Sequence, residues 1–148
     1  MLPAISPKIM AKMKIFLILF FSIYNFTFSQ IKISEKQFVF TKESEVYIDY
    51  ESLNSNCRFT PTAEEIKLAD SIFKSELSPK VDYESYYRNY AGLKLKGDKM
   101  IFVNLNCKKN ENFEKDLFQP KGGGRCYFRG LINIDKKITE KFTINAPK

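Results

Sequence analysis

The stretches KMIFVNLNC (residues 99–107) and CYFRGLINID (residues 126–135) decide the fold, because apolar side chains recur in both with the period of two that is typical of β-strands. An antiparallel pairing with Cys107 opposite Cys126 puts the apolar side chains of both strands on one face. The pairs are then Leu105 with Phe128, Val103 with Gly130, and Ile101 with Ile132. This shared apolar face supports the register, since a slip of one strand by one residue would turn its apolar side chains to the opposite face of the sheet.

Two further β-type segments flank this pair and extend it to an antiparallel meander. The four predicted strands are Tyr86 to Lys96, Lys99 to Cys107, Cys126 to Asp135, and Ile138 to Asn145. The turn of the first hairpin stays open. A two-residue loop at Gly97-Asp98 aligns Leu93 and Leu95 with Phe102 and Met100, whereas a three-residue loop that includes Lys96 aligns Leu93 and Ala91 with Ile101 and Val103.

One amphipathic helix precedes the meander. Thr60 is a suitable N-cap, Pro61 suits the first helical position, and Ser78-Pro79 ends the helix. Its apolar stripe consists of Ile66, Ala69, Ile72, Phe73 and Leu77. Two short strands, Gln37 to Thr41 and Glu45 to Tyr50, lie upstream and are joined by a turn at residues 42–44. We therefore predict an α+β fold in which one amphipathic helix packs on a four-stranded antiparallel meander, with two short N-terminal strands.

Residues 1–29 have the pattern of a secretory signal peptide. Lys8, Lys12 and Lys14 precede an uncharged apolar run of about 14 residues, which is shorter than the roughly 20 that a membrane-spanning helix needs. Thr27 and Ser29 provide small residues for cleavage, and translation could start at Met1, Met10 or Met13. Because residue 30 is Gln rather than Cys, a lipoprotein anchor is not indicated. We expect a secreted or periplasmic single domain at residues 30–148, without a transmembrane span after signal removal.

Charge and cysteine content limit the chemistry. The net charge of +7 falls to +4 when the three lysines of the signal segment are removed, which is an ordinary solubility charge that also gives a weak preference for anionic surfaces. No histidine is present, so Ser-His-Asp and Cys-His catalysis are excluded. The three cysteines lack C-x-x-C spacing, and we expect no cofactor, although an oxygen-ligated calcium site stays open.

Export permits disulfides, and the register above brings Cys107 and Cys126 directly across the base of a long hairpin. We predict that these two cysteines are bonded and that Cys57 is left over. The alternative is that all three are reduced core residues.

Two segments are candidates for binding. The loop from Lys108 to Arg125 is longer than most loops in compact domains. It ends in Lys121, Gly122, Gly123, Gly124 and Arg125, a glycine run between cations that could form an anion-binding concavity or serve only as a flexible turn. In the first strand of the meander, Tyr86, Arg88 and Tyr90 point to one side; tyrosine and arginine are enriched in recognition hot spots, but the same residues could pack against the helix.

These features favour a non-enzymatic binding domain that recognises a protein or a cell-envelope component, with no specific nucleic acid as partner. The rival is a small histidine-free hydrolase of envelope glycans with Glu111, Glu114 and Asp116 as candidate acids. A third possibility is adhesion to anionic polymers, which predicts that affinity collapses with added salt.

Several motifs resemble those of small uncharacterised exported bacterial proteins, over roughly residues 59–146. They are the Thr-Pro start of the helix, Arg88-Asn89-Tyr90, Gly122-Gly123-Gly124-Arg125-Cys126-Tyr127-Phe128, and Ile132-Asn133-Ile134-Asp135. The resemblance implies export and supplies no activity. The order of one helix and then a meander also resembles the cystatin architecture, but the Gln-x-Val-x-Gly hairpin of cystatins is absent, so protease inhibition is not implied.

Overall fold

The computed structural model describes residues 30–48 and 57–147. Its elements, in chain order, are β1 (Gln30–Ser34), β2 (Gln37–Phe40), β3 (Arg58–Phe59), α1 (Ala63–Ser75), β4 (Tyr87–Leu95), β5 (Asp98–Asn106), β6 (Tyr127–Asn133) and β7 (Ile138–Ile144). The protein is thus α+β, as predicted. The predicted signal peptide at residues 1–29 lies outside the described residues.

The strands form one mostly antiparallel sheet in the order β1-β2-β4-β5-β6-β7. The short strand β3 pairs antiparallel with β4, next to the residues of β4 that pair with β2. The meander of β4 to β7 is confirmed, and so is the predicted register: Leu105 pairs with Phe128, and Val103 with Gly130. The pairing of β2 with β4 is parallel, which the local pattern does not predict.

Two details of the strand assignment were wrong. The N-terminal hairpin consists of β1 and β2, whereas residues 45–48 of the predicted second strand are irregular and residues 49–50 lie outside the described residues. In the β4–β5 hairpin, neither alternative is correct, because Leu95 pairs with Asp98. The turn residues are Lys96 and Gly97, with φ of 53° and 92°, and two positive φ angles suit a two-residue turn between twisted strands.

Helix α1 begins two residues later than predicted. Thr62, not Thr60, is the N-cap: its hydroxyl accepts the Glu65 N–H at 3.2 Å, while the Glu65 carboxylate accepts the Thr62 N–H at 2.8 Å. This reciprocal capping box requires a glutamate three residues after the cap, and Thr62 meets that condition.

The sheet is covered on both faces. On one face, Ile66, Ala69 and Phe73 of α1 pack against the apolar side chains shared by β5 and β6. The Phe73 ring lies where a Cβ on Gly130 would be, with one ring carbon 2.7 Å from that position, so the glycine permits the close approach of the helix. On the other face, Leu117 of the long loop joins a second buried cluster that contains Phe102.

Candidate functional site

Arg88 and Tyr90, two of the predicted binding residues, face the helix and lie in the interior. Arg88 is 6% exposed and Tyr90 is fully buried, whereas Tyr86 is half-buried. Packing against the helix, the alternative interpretation of this segment, therefore accounts for the position of Arg88 and Tyr90. What neither interpretation included is the group that they surround.

That group is Asp70 on α1. Its Oδ1 accepts hydrogen bonds from the hydroxyls of Tyr83 (2.6 Å) and Tyr90 (2.8 Å). Its Oδ2 lies 3.5 Å from Nη1 of Arg88, whose Nη2 pairs with Glu84 at 2.9 Å. We call Asp70, Tyr83, Arg88 and Tyr90 the Asp70 cluster. It connects α1 to β4 and to the turn before β4.

Burial determines the titration of this cluster. Burial raises the pKa of Asp70 above its ordinary value, against the opposing effects of the two tyrosine hydrogen bonds and of the Arg88 charge. Burial likewise raises the pKa of Tyr83 and of Tyr90, so both phenols remain hydrogen-bond donors at neutral pH. The cluster has the properties of a structural support rather than of a solvent-facing recognition surface.

The raised pKa of Asp70 predicts a pH effect on stability. The pKa of Asp70 in the folded state lies above the ordinary value of 3.8. The Asp70 carboxylate therefore binds a proton more tightly in the folded protein than in the unfolded chain. The contribution of Asp70 protonation to the free energy of unfolding is therefore fully present below the pKa of the unfolded state and is lost as the pH rises through the pKa of the folded state. We expect the stability of the wild type relative to Asp70→Asn to fall over this interval, as measured by urea unfolding from about pH 3 to 7. A relative stability that rises with pH there would contradict the assignment.

The long loop, which the sequence marks as a candidate site, is a packed layer over the sheet. Phe113 and Leu117 are 1% and 3% exposed. Two buried asparagines of the strands hold the backbone of the loop by hydrogen bonds. The side-chain amide of Asn89 donates to the carbonyl of Phe113 at 2.9 Å, and that of Asn104 donates to the carbonyl of Phe118 at 3.0 Å. Sequence reasoning missed these asparagines, although Asn89 shares its side of the strand with Ala91, and Asn104 shares its side with Phe102.

The glycine run at the end of the loop is also held by backbone contacts. The N–H of Gly124 donates to the carbonyl of Ala146 at 2.9 Å, and Asn145 donates to the carbonyl of Gly122 at 3.0 Å. Gly123 and Gly124 have φ of 97° and 54°. The hydroxyl of Tyr86 donates to the carbonyl of Arg125 at 2.8 Å, so the two predicted binding segments do meet here. One of the N–H groups that an anion would need is thus already bonded to protein.

The predicted disulfide is confirmed: Cys107 and Cys126 are paired at the base of the loop, with their Cα atoms 4.8 Å apart. The N–H of Cys107 also donates to the carbonyl of Cys126 at 2.9 Å, which continues the β5–β6 ladder by one residue. Cys57 is unpaired and half-buried.

An open cleft of about 420 Å³ lies between the long loop and the segment that follows β2, at Tyr47. It is lined by Tyr47, Asp116, Leu117, Gln119 and Lys121. The Tyr47 side of the cleft is tied to the loop by the Gln119 amide, which donates to the Tyr47 carbonyl at 2.8 Å. We call these five residues the loop cleft.

The loop cleft combines an aromatic ring with opposite charges. Tyr47 is 74% exposed, the largest exposure of any large hydrophobic side chain in the described ranges. Asp116 uses Oδ1 to accept the N–H of Leu117 at 2.7 Å. Within the part of the chain that the structure describes, neither Asp116 nor Lys121 forms an ion pair, although both line the same cleft.

The three acids considered for hydrolysis are not equivalent. Asp116 lines the loop cleft, whereas Glu114 pairs with Lys109 at 3.3 Å and Glu111 is exposed. Among residues 30–48 and 57–147, no group of three or more histidine, cysteine or acidic side chains is arranged to hold a metal ion.

None of the helices in the described ranges has the length and apolar character needed to cross a bilayer. No protein-family model matches this chain, and neither the curated proteins nor the solved structures contain a significant match to it. The functional conclusions therefore depend on the geometry of this chain alone.

Proposed function

We propose that the chain is an exported, non-enzymatic binding domain that recognises a protein or a cell-envelope component through the loop cleft. The observation that carries this proposal is the exposed Tyr47 ring beside Lys121 and Asp116 in one concave surface. A large rigid ring with polar groups around it is the usual composition of a recognition hot spot.

Export is supported by two independent features. Residues 1–29 have the charge and apolar pattern of a signal peptide, and the Cys107–Cys126 pair suits an oxidising compartment. The resemblance to small exported bacterial proteins agrees with both. The proposal places the mature protein in the periplasm or outside the cell.

The packing of the loop explains how the cleft keeps its shape. The disulfide closes the base of the loop, buried Leu117 anchors its middle, and Gln119 joins it to Tyr47. A preformed cleft loses less conformational entropy on binding than a flexible loop would. This rigidity favours specific recognition over non-specific adhesion.

Replacing Tyr47 with alanine is expected to weaken binding of the captured component at least about tenfold, because truncating a hot-spot aromatic residue costs about 2 kcal/mol or more and a tenfold change corresponds to about 1.4 kcal/mol. The protein is immobilised, the component is captured from envelope extract, and its dissociation constant is measured for each variant. Lys121→Ala tests the charged wall of the cleft, and Lys67→Ala is the matched control on the exposed side of α1.

Unchanged affinity in a folded Tyr47→Ala protein would refute the site. If affinity instead falls steeply with salt and equally in Lys121→Ala and Lys67→Ala, the protein is an electrostatic adhesin and the loop cleft is not its recognition site.

The rival glycan hydrolase retains one supporting observation, which is that Asp116 lines the cleft. A two-carboxylate mechanism needs a second acid across the same cleft, and among residues 30–48 and 57–147 Asp116 is the one acid that lines it. Loss of glycan turnover when Glu111, Glu114 and Asp116 are all changed to amides would favour this rival.

A further inference from the structure

The size of the loop cleft limits the kind of molecule that it holds. Its volume of about 420 Å³ lies at the lower end of the range of about 300–1,000 Å³ that is typical of small-molecule sites. A stable protein partner instead needs about 800 Å² of surface from each side, spread over roughly 20–30 residues. Because five of the described residues line the cleft, it suits a ligand of a few rings better than a folded protein.

The apolar surface of the loop cleft is one flat ring. Tyr47 is 74% exposed. Leu117, the other apolar lining residue in the described part of the chain, is 3% exposed and packs into the buried cluster that contains Phe102. A protein hot spot usually fills a desolvated apolar pocket with an aromatic or aliphatic anchor. The described walls of the cleft offer a ring face for stacking rather than such a pocket.

The polar walls of the loop cleft carry opposite charges. Asp116 and Lys121 are both exposed. Asp116 uses Oδ1 to accept the N–H of Leu117, but an ionised carboxylate has about four acceptor sites, and the Lys121 ammonium has three N–H donors. Since the two charges oppose each other, the cleft has little net attraction for an anion. It suits a neutral molecule that both donates and accepts hydrogen bonds.

We propose that the loop cleft binds a neutral glycan, with one sugar ring stacked on Tyr47 and its hydroxyls bonded to Asp116 and Lys121. One face of a sugar ring carries C–H bonds whose slightly positive hydrogens are attracted to the negative face of an aromatic ring. The hydroxyls around the ring donate to a carboxylate and accept from an ammonium, and both bonds are charge-assisted. This assignment names the chemical class of the envelope component and rests on the proposed binding function.

The first test separates a glycan from a protein. The protein, purified as the cells process it, is immobilised and exposed to envelope extract that is either untreated or digested with proteinase K. We expect carbohydrate to be retained from both extracts, as measured by sugar analysis after acid hydrolysis, and about tenfold less to be retained by Tyr47→Ala. Tyr47-dependent capture that is lost on digestion would overturn the glycan and leave the proposed function standing. Equal capture by wild type and Tyr47→Ala, or no capture at all, would overturn both.

The second test separates ring stacking from apolar burial, with the carbohydrate of the digested extract as the probe. Tyr47→Phe keeps the flat ring and should bind within about threefold of the wild type, whereas Tyr47→Leu keeps apolar area without a ring face and should bind about tenfold more weakly. Lys67→Ala on the exposed side of α1 is the control and should bind as the wild type does. Circular dichroism verifies that the variants are folded. Equal binding by the Phe and Leu variants would overturn the stacked ring.

The third test examines the charge of the ligand with the same probe. Asp116→Asn keeps the shape of the side chain and an oxygen for the N–H of Leu117, but it removes the negative charge. For a neutral glycan we expect affinity to fall about tenfold, because charge-assisted hydrogen bonds are roughly twice as strong as neutral ones. An anionic glycan would instead bind more tightly, since Lys121 would no longer be opposed. Tighter or unchanged binding would therefore overturn the neutral ligand held by Asp116.

Discussion

Replacing Asp70 with alanine is expected to lower the free energy of unfolding by about 3 kcal/mol, because removing one partner of a buried charge cluster strands the others. The variant leaves the hydroxyls of Tyr83 and Tyr90 without their shared acceptor, and of its two ion pairs Arg88 keeps the one with Glu84. We place the value at the lower end of the range for buried pairs, since the Asp70 side chain is 19% exposed and water reaches part of the cluster.

The matched variant Asp70→Asn separates charge from hydrogen bonding. Its amide oxygen can still accept both tyrosine hydroxyls, so the expected loss at neutral pH is smaller, about 1 kcal/mol. Lys67→Ala on the exposed side of the same helix should change stability by no more than about 0.5 kcal/mol. Urea unfolding at pH 7 measures all three. If Asp70→Ala is as stable as Lys67→Ala, the cluster does not support the contact between α1 and β4.

Removing the disulfide is the second change with a large expected effect. Cys107→Ser combined with Cys126→Ser should lower the free energy of unfolding by roughly 3 kcal/mol, because the bond closes a loop across a sequence separation of 19 residues and restricts the unfolded chain. The packed layer of Phe113 and Leu117 over the sheet should hold the loop in place in the folded state.

Urea unfolding of the double variant measures this loss, and Cys57→Ser is its control, because Cys57 forms no disulfide and should be nearly neutral. Thiol titration of the denatured, unreduced wild type should find one free group per chain. Three free groups would show that the bond does not form. Equal stability of the double variant and the wild type would show that the loop contacts alone restrict the chain.

Much of the meander was predictable because its signal is local. The period of two in β5 and β6, and the need to keep Leu105 and Phe128 on one side, determine the register without knowledge of any other element. The cysteine pair follows from that register. The β4–β5 turn was less certain, since Lys96 gives no sign in the sequence that it adopts a positive φ.

The candidate site was only partly predictable. The sequence singled out the loop and Lys121, but not Tyr47, whose place in the cleft depends on the path of a segment far from the loop in sequence. It also singled out Arg88 and Tyr90 as a group with a common direction, which is true of their side chains. The alternation of side chains along a strand determines which residues share a face of the sheet, but it does not determine which other element covers that face.

By itself, then, the sequence determined the α+β class, the helix, the register of the central strands and the cysteine pair, because each depends on short-range periodicity or on direct cross-strand pairing. Only the tertiary structure decided that Arg88 and Tyr90 are interior, that β2 runs parallel to β4, and that the long loop is a packed layer. The reason is physical: Asp70 on the helix and the asparagines beneath the loop are distant partners, and a polar residue in a strand has the same local pattern whether water or a buried partner satisfies it.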